Sequence, residues 1–142
     1  MYAQDHARTY RANSILTASP GQLVLMLFDA ALNSLAIARK ACDATATDPR
    51  QFEVANTQIV KAQKIIAELQ GTLNLEAGGE FARTMHSLYD YYDRRLLEAN
   101  LRKQSAPIAE VERLLGEVRN AWFEMLRQQD SAVPAGALHH VA

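Results

Sequence analysis

The chain has few side chains that could bind a metal ion or act as a nucleophile. Its 142 residues include one cysteine, and the histidines are His6, His86, His139 and His140. A Glu-x-x-His pair would indicate a di-iron helical bundle, and the sequence contains none. The last two histidines are adjacent, so a helix would point them in different directions. We therefore expect no metal, no cofactor and no catalytic site.

The single cysteine, Cys42, also fits a structural role better than a catalytic one. It stands at helical spacing from Phe28, Leu35 and Ala38, which together form a stripe typical of a core. A buried cysteine packs as a small hydrophobic residue. One cysteine cannot form an internal disulfide, which is consistent with a reducing cytoplasm. We predict a cytoplasmic protein that is not an enzyme.

Charged residues give no sign of a nucleic-acid site. The chain carries 15 basic and 16 acidic residues, so it has no general field that would attract a phosphate backbone. Its most basic feature is the Arg94-Arg95 pair. Asp29 is the lone charge in a long apolar stretch, and a buried carboxylate needs a partner. The arginines could form a solvated face, with Asp90 four residues before Arg94 and Glu98 four residues before Arg102. Alternatively, Arg94 or Arg95 reaches Asp29.

Four long helices must position these side chains. Alanine and leucine dominate the sequence, and helix signals delimit helices at about 20–43, 49–75, 80–104 and 107–129. Ser19 and Gln22 form a predicted capping box around Pro20, and Asp48 is predicted to cap the second helix before Pro49. Short loops favour an antiparallel up-down-up-down four-helix bundle. The prediction is an all-α single domain over 1–130, with an N-terminal arm at 1–18 and a disordered tail at 131–142.

The first helix departs from the amphipathic pattern of the other three. From Leu23 to Leu32 it is apolar on every side except at Asp29, and such a helix must be covered all round. Three partner helices cover about two thirds of it. The remainder could be covered by the arm or by a second protein chain. Alternatively, the bundle is asymmetric and this helix is central.

The other helices carry apolar residues that fall outside their main stripes. These residues are Val54, Ile65, Leu97, Leu101, Leu114 and Phe123. Together with the first helix, they could form grooves that bind amphipathic partner helices through anchors three and four residues apart. The longest uninterrupted apolar run is Leu23 to Phe28, which is far too short for a membrane span, so we expect no membrane insertion.

Several motifs in a fixed order resemble those of one known family. They are Tyr10-x-x-Asn13, the segment from Thr17 to Leu23, Leu25-Met26-Leu27-Phe28-Asp29, the segment from Lys61 to Leu69, Thr72-Leu73-Asn74, and the segment from Leu88 to Asn100. Glu110-Val111 and Ala121-Trp122 continue the pattern in the last helix. This order resembles the flagellar export chaperone FliS family over about residues 2–127.

The resemblance implies a cytoplasmic chaperone of flagellin. In that family the partner is the C-terminal segment of flagellin, which is disordered when free and wraps the bundle. Binding prevents premature polymerisation, and the loaded complex docks at the flagellar type III export gate. The resemblance marks Tyr10 as client-related. The residues predicted to contact the partner are Tyr10, Asn13, Ile15, Leu16, Leu25, Phe28, Leu32, Ile65, Leu97 and Phe123. The alternative prediction is a structural homo-oligomer, such as a homodimer, that covers its apolar surface with a second copy.

Overall fold

The computed structural model describes residues 17–132, which form four long α-helices. These are α1 (Pro20–Ala44), α2 (Gln51–Gly71), α3 (Gly79–Arg102) and α4 (Ser105–Ala132). No strand occurs between residues 17 and 132, so the predicted all-α four-helix fold is confirmed. Most of the predicted arm and tail lies outside the described residues. The last two described residues, 131 and 132, belong to α4 rather than to a tail.

The helices pack in a ring in chain order. α1 packs against α2 and α4, and α3 packs against the same two helices, so α1 and α3 lie diagonally across the bundle. The connections are short, at 45–50, 72–78 and 103–104, which makes neighbouring helices antiparallel. The tightest connection turns through Lys103, which has a left-handed φ of 51°.

Local capping explains where the helices start. The Ser19 hydroxyl accepts the Gln22 N–H at 3.2 Å, and the Gln22 side chain accepts the Ser19 N–H at 3.0 Å, as the capping box predicts. The predicted start at residue 49 is wrong, because the Asp48 carboxylate holds Arg50 in a turn and α2 begins at Gln51. These hydrogen bonds from Arg50 lower the pKa of Asp48.

α4 begins two residues earlier than predicted, at Ser105. Pro107 therefore lies in its first turn, where the missing N–H of proline costs no helical hydrogen bond.

The core consists of apolar stripes from all four helices. Its largest fully buried side chains include Phe28, Leu35, Ile59, Tyr92 and Leu115. Cys42 is buried as predicted, and burial raises the pKa of its thiol. Two large apolar residues, Phe52 and Phe81, remain exposed. Each stands in the first turn of its helix, at the edge of the bundle.

Candidate protein-binding surface

α1 buries its small side chains and leaves several large apolar ones accessible. Ala31, Ser34, Ala38 and Ala41 are buried at helical spacing. In contrast, Leu23 and Ile37 are each 38% exposed, and Leu25, Met26 and Leu32 are only half-buried. We call these five side chains, Leu23, Leu25, Met26, Leu32 and Ile37, the α1 surface. By helical spacing, Leu23, Met26 and Ile37 lie along one edge of the exposed face of α1, and Leu25 and Leu32 lie along the other. Accessible apolar side chains of this kind are typical of a protein-binding site.

The alanines on α1 explain this arrangement. Two alanines of α2, Ala55 and Ala62, are also fully buried. Small side chains let two helices approach closely, and α1 and α2 make the most extensive helix pair of the bundle. Phe28 and Leu35 are the large side chains that α1 places in the core. Several of its other large apolar residues remain at the edges of the interface.

Two grooves adjoin the N-terminal end of α1. The Leu25 groove has a volume of about 430 Å³ and is lined by apolar Leu25, Phe123 and Leu126 together with the polar residues Ser19, Gln22 and Arg127. The Leu23 groove, of about 540 Å³, is lined mainly by apolar residues, including Leu23, Val24, Leu27, Trp122 and Met125. Both grooves are open to solvent and lie where the last turns of α4 pass α1.

A close contact between α1 and α4 separates the two grooves. Trp122 Nε1 donates a hydrogen bond to the carbonyl oxygen of Gly21 at 2.9 Å. A Cβ atom on Gly21 would lie 2.6 Å from Leu126 Cδ2, so a larger residue there would require the Leu126 side chain to move. The contact therefore holds the C-terminal turns of α4 against the start of α1.

Ion pairs join α1 to α4 along the rest of their length. Arg119 Nε donates to Asp29 Oδ1 at 2.8 Å, and Arg39 Nε donates to Glu112 Oε1 at 2.6 Å. The guanidinium of Arg119 also lies 5.0 Å from the centre of the Phe123 ring, a cation–π distance. The hydrogen bond that Arg39 donates to Glu112 raises the pKa of Arg39.

The predicted partner of Asp29 is therefore wrong. Arg94 and Arg95 belong to α3, which lies diagonally opposite α1, whereas Arg119 belongs to the adjacent α4. Arg95 instead bonds Glu98 and Glu110, both at 2.7 Å. The hydrogen bond from Arg95, with a second from Tyr91, lowers the pKa of Glu110.

By length and composition alone, α1 is apolar enough to cross a membrane. A core helix of a soluble protein passes the same test. The two ion pairs to α4 are consistent with the second interpretation, because Asp29 and Arg39 are bound within the bundle.

The structure distributes the predicted contact residues unevenly. Leu25 and Phe123 line the same groove, and Phe123 is 42% exposed. Leu32 and Ile65 are half-buried on α1 and α2. Phe28 is buried in the core. Leu97 is 51% exposed on the diagonal helix α3, away from the others.

Four of the predicted contact residues precede the described part of the chain. They are Tyr10, Asn13, Ile15 and Leu16. Of the groove residues, the predicted contacts included Leu25 and Phe123 but not Leu23, Trp122 or Leu126, among others. Leu126 stands three residues after Phe123, so helical spacing from that candidate could have identified it. Among residues 17–132, no group of three or more His, Cys, Asp or Glu side chains is placed to hold a metal ion.

Comparison with known proteins identifies the family. The family model described as flagellar protein FliS matches residues 2–129. The flagellar secretion chaperone FliS of Bacillus subtilis is 36% identical over 129 residues, which cover 91% of this chain and 92% of the relative. The chaperone of the same name from Salmonella typhimurium is 38% identical, covering 88% and 93%. The chain belongs to the FliS family.

This assignment confirms the resemblance found in the sequence motifs. FliS is a family of flagellar secretion chaperones, so the prediction that the chain is not an enzyme is also confirmed. A third relative, the flagellar secretion chaperone FliSB of Pseudomonas aeruginosa, is 35% identical over 126 residues, covering 86% of this chain and 96% of the relative. A secretion chaperone needs a surface that holds a client protein, and the α1 surface with its two grooves has that character.

Proposed function

We propose that this FliS-family chaperone binds the C-terminal segment of flagellin in the cytoplasm and delivers it to the flagellar type III export gate. While bound, the segment is kept from polymerising. The observation that carries the proposal is the set of accessible large apolar side chains on α1, of which Leu23 and Ile37 are each 38% exposed. Family membership supports a secreted client, and the notion that this client is flagellin rests on the resemblance in the motifs.

The shape of the surface suits a client that is disordered when free. Such a segment loses conformational entropy when it binds, so it needs a long apolar track rather than a compact pocket. α1 contains 25 residues and is about 37 Å long at 1.5 Å per residue. The α1 surface runs along most of this length and meets both grooves at one end. A client helix could therefore place leucine-sized anchors along α1.

The proposed contacts follow from exposure. Leu25, Leu32, Ile65 and Phe123 would contact the client directly, while buried Phe28 would support α1 from beneath. Tyr10, Asn13, Ile15 and Leu16 remain proposed contacts on the N-terminal segment. Leu97 lies on α3, the helix diagonal to α1.

Titration calorimetry with a flagellin C-terminal peptide tests the proposal. We expect binding at micromolar concentration or tighter. The double variant Leu23→Ala with Ile37→Ala should weaken binding at least about tenfold, equivalent to about 1.4 kcal/mol. Both side chains are partly exposed, so thermal unfolding should change little.

Leu75→Ala is the matched control. Leu75 is 45% exposed but lies in the α2–α3 connection, so its truncation should leave binding unchanged. Absence of binding by the wild-type protein would contradict the proposal. A stable homodimer that persists when the peptide is added, measured by light scattering, would favour the homo-oligomer instead.

A further inference from the structure

The C-terminal half of α3 presents an exposed apolar pair among arginines. Leu97 is 51% exposed and Leu101 is 77% exposed, and the two stand one helical turn apart. Arg94 and Arg102 flank them and are also exposed. We call these four side chains the α3 patch. Because α3 lies diagonally across from α1, the α3 patch is separate from the α1 surface.

Hydrogen bonds between α2 and α3 define the surroundings of the patch. Asn100 Nδ2 donates to Asn56 Oδ1 at 2.8 Å, and Gln63 Nε2 donates to the carbonyl oxygen of Asp93 at 3.4 Å. Along the chain, Val60 lies about halfway between Asn56 and Gln63 of α2. Leu97 lies about halfway between Asp93 and Asn100 of α3. Half-buried Val60 is therefore level with Leu97, and it extends the apolar pair across the α2–α3 seam.

The charge around the leucines is positive. Residues 93–103 include four basic side chains, Arg94, Arg95, Arg102 and Lys103, and two acidic ones, Asp93 and Glu98. Glu98 is held by Arg95 at 2.7 Å. Arg94 and Arg102 form no ion pair with any residue between 17 and 132, although the Arg94 guanidinium lies 6.0 Å from the centre of the Tyr91 ring. Two exposed leucines thus stand between two arginines that lack a carboxylate partner.

Helix stability alone does not account for this arrangement. Basic residues in the last turn of a helix interact favourably with its dipole, which explains Arg102. The dipole gives no reason for a leucine that is 77% exposed beside that arginine. A second copy of the chain is also a poor occupant. A two-fold interface would bring the same patch on both copies together, and its arginines would face one another.

We propose that the α3 patch docks an acidic amphipathic helix of a partner protein other than the client held on α1. Two apolar anchors one turn apart on the partner would pack on Leu97 and Leu101, and carboxylates beside those anchors would pair with Arg94 and Arg102. The α3 patch lies on the helix diagonal to α1, so a chaperone whose client occupies only the α1 surface could bind this second partner as well. Such a surface lets another protein recognise the chaperone without displacing its client.

The test uses the full-length chain and a synthetic, fluorescently labelled 18-residue helical peptide. The peptide carries two leucines four residues apart with glutamates on the flanking positions, and a matched peptide carries lysines instead. Fluorescence anisotropy is measured with the free chain and with the chain saturated by the flagellin C-terminal peptide. We expect the acidic peptide to bind in both states, and to bind at least about tenfold more tightly than the basic peptide. Raising the salt concentration should weaken this binding.

Variants assign the binding to the patch. The pair Arg94→Glu with Arg102→Glu and the pair Leu97→Ser with Leu101→Ser should each weaken binding of the acidic peptide at least about tenfold. Lys40→Glu with Arg113→Glu makes the same charge change on α1 and α4 and should leave it within about twofold. Circular dichroism checks that all variants keep the helical fold, which their exposed positions favour.

Each other result overturns the proposal. No binding of the acidic peptide, or equal binding of the basic one, excludes recognition of an acidic helix. Loss of binding in the client-loaded state assigns the patch to the client. Binding to phosphatidylglycerol vesicles that Arg94→Glu with Arg102→Glu abolishes, without peptide binding, assigns it to a membrane surface. Because the free chain is measured separately, a failure of flagellin to bind does not affect the peptide result.

Discussion

The two halves of the bundle bury different kinds of side chain. Between α1 and α2, small side chains occupy many of the buried positions, and Ala31, Ala38, Ala55 and Ala62 are fully buried beside the larger Leu35 and Ile59. On α3 the buried positions include two tyrosines, Tyr89 and Tyr92. Burial raises the pKa of Tyr89 to about 12.

This difference determines which helix leaves large apolar side chains accessible to solvent. α3 places its large apolar side chains inside and covers most of its outer face with charged residues. α1 has alanine or serine at four of its seven buried positions, beside Phe28 and Leu35, so several of its other leucines and its isoleucine remain accessible. Alanine packing thus exposes an apolar surface without weakening the core, because the close helix approach supplies the contacts that large side chains would otherwise make.

The largest expected effect distinguishes buried from exposed aromatics. Phe28→Ala should lower the free energy of unfolding by about 3–5 kcal/mol, because it leaves a cavity at a site that is 2% exposed. Phe123→Ala, at 42% exposed, should cost about 1 kcal/mol and should instead weaken client binding. Urea unfolding and titration with the flagellin C-terminal peptide measure the two quantities. Equal losses of stability would show that Phe123 belongs to the core.

An intermediate effect tests the alanine interface itself. Ala38→Leu inserts three carbon atoms into a fully buried position and should cost about 1–3 kcal/mol through overpacking. Ala30→Leu makes the same change at an exposed position of α1 and should change stability by less than about 0.5 kcal/mol. Thermal unfolding of the two variants compares them directly. If Ala38→Leu were tolerated, close helix approach could not be the reason that α1 exposes its large residues.

The smallest expected effect concerns the polar side of the α3–α4 half. Tyr91 Oη and Arg95 Nε both donate to Glu110 Oε1, at 2.9 and 2.7 Å, and these bonds lower the pKa of Glu110. Glu110 therefore stabilises the fold above its unfolded-state pKa of about 4.3, and this contribution is lost as the pH falls through the lowered pKa. Glu110→Gln should reduce the melting temperature at pH 7.

The difference between wild type and Glu110→Gln should shrink as the pH is lowered below about 4. Glu76→Gln removes an exposed carboxylate that has no ion pair with residues 17–132, and it should show no such convergence. Melting curves at several pH values provide the comparison. A constant difference across the pH range would show that Glu110 stabilises the bundle by packing rather than by charge.

Much of the architecture could be predicted from the sequence because it depends on local chemistry. The Ser19–Gln22 capping box and the helix start at Pro20 involve residues a few positions apart. The exceptions were also local: Asp48 bonds Arg50 and delays the start of α2. The candidate site was predicted only in part. The sequence predicts that α1 carries excess apolar residues. Residue type alone does not distinguish buried Phe28 from exposed Leu23.

Residue types and their spacing by themselves determined the four helices, the absence of an enzyme motif and the family resemblance. Only the tertiary structure decided that Asp29 pairs with Arg119, that Leu25 shares a groove with Phe123 and that Leu97 lies apart from both. Local hydrogen bonds and the hydrophobic period are determined by residues a few positions apart in the sequence. The choice of neighbouring helix, and hence which apolar side chains are covered, depends on how closely helices distant in sequence can approach.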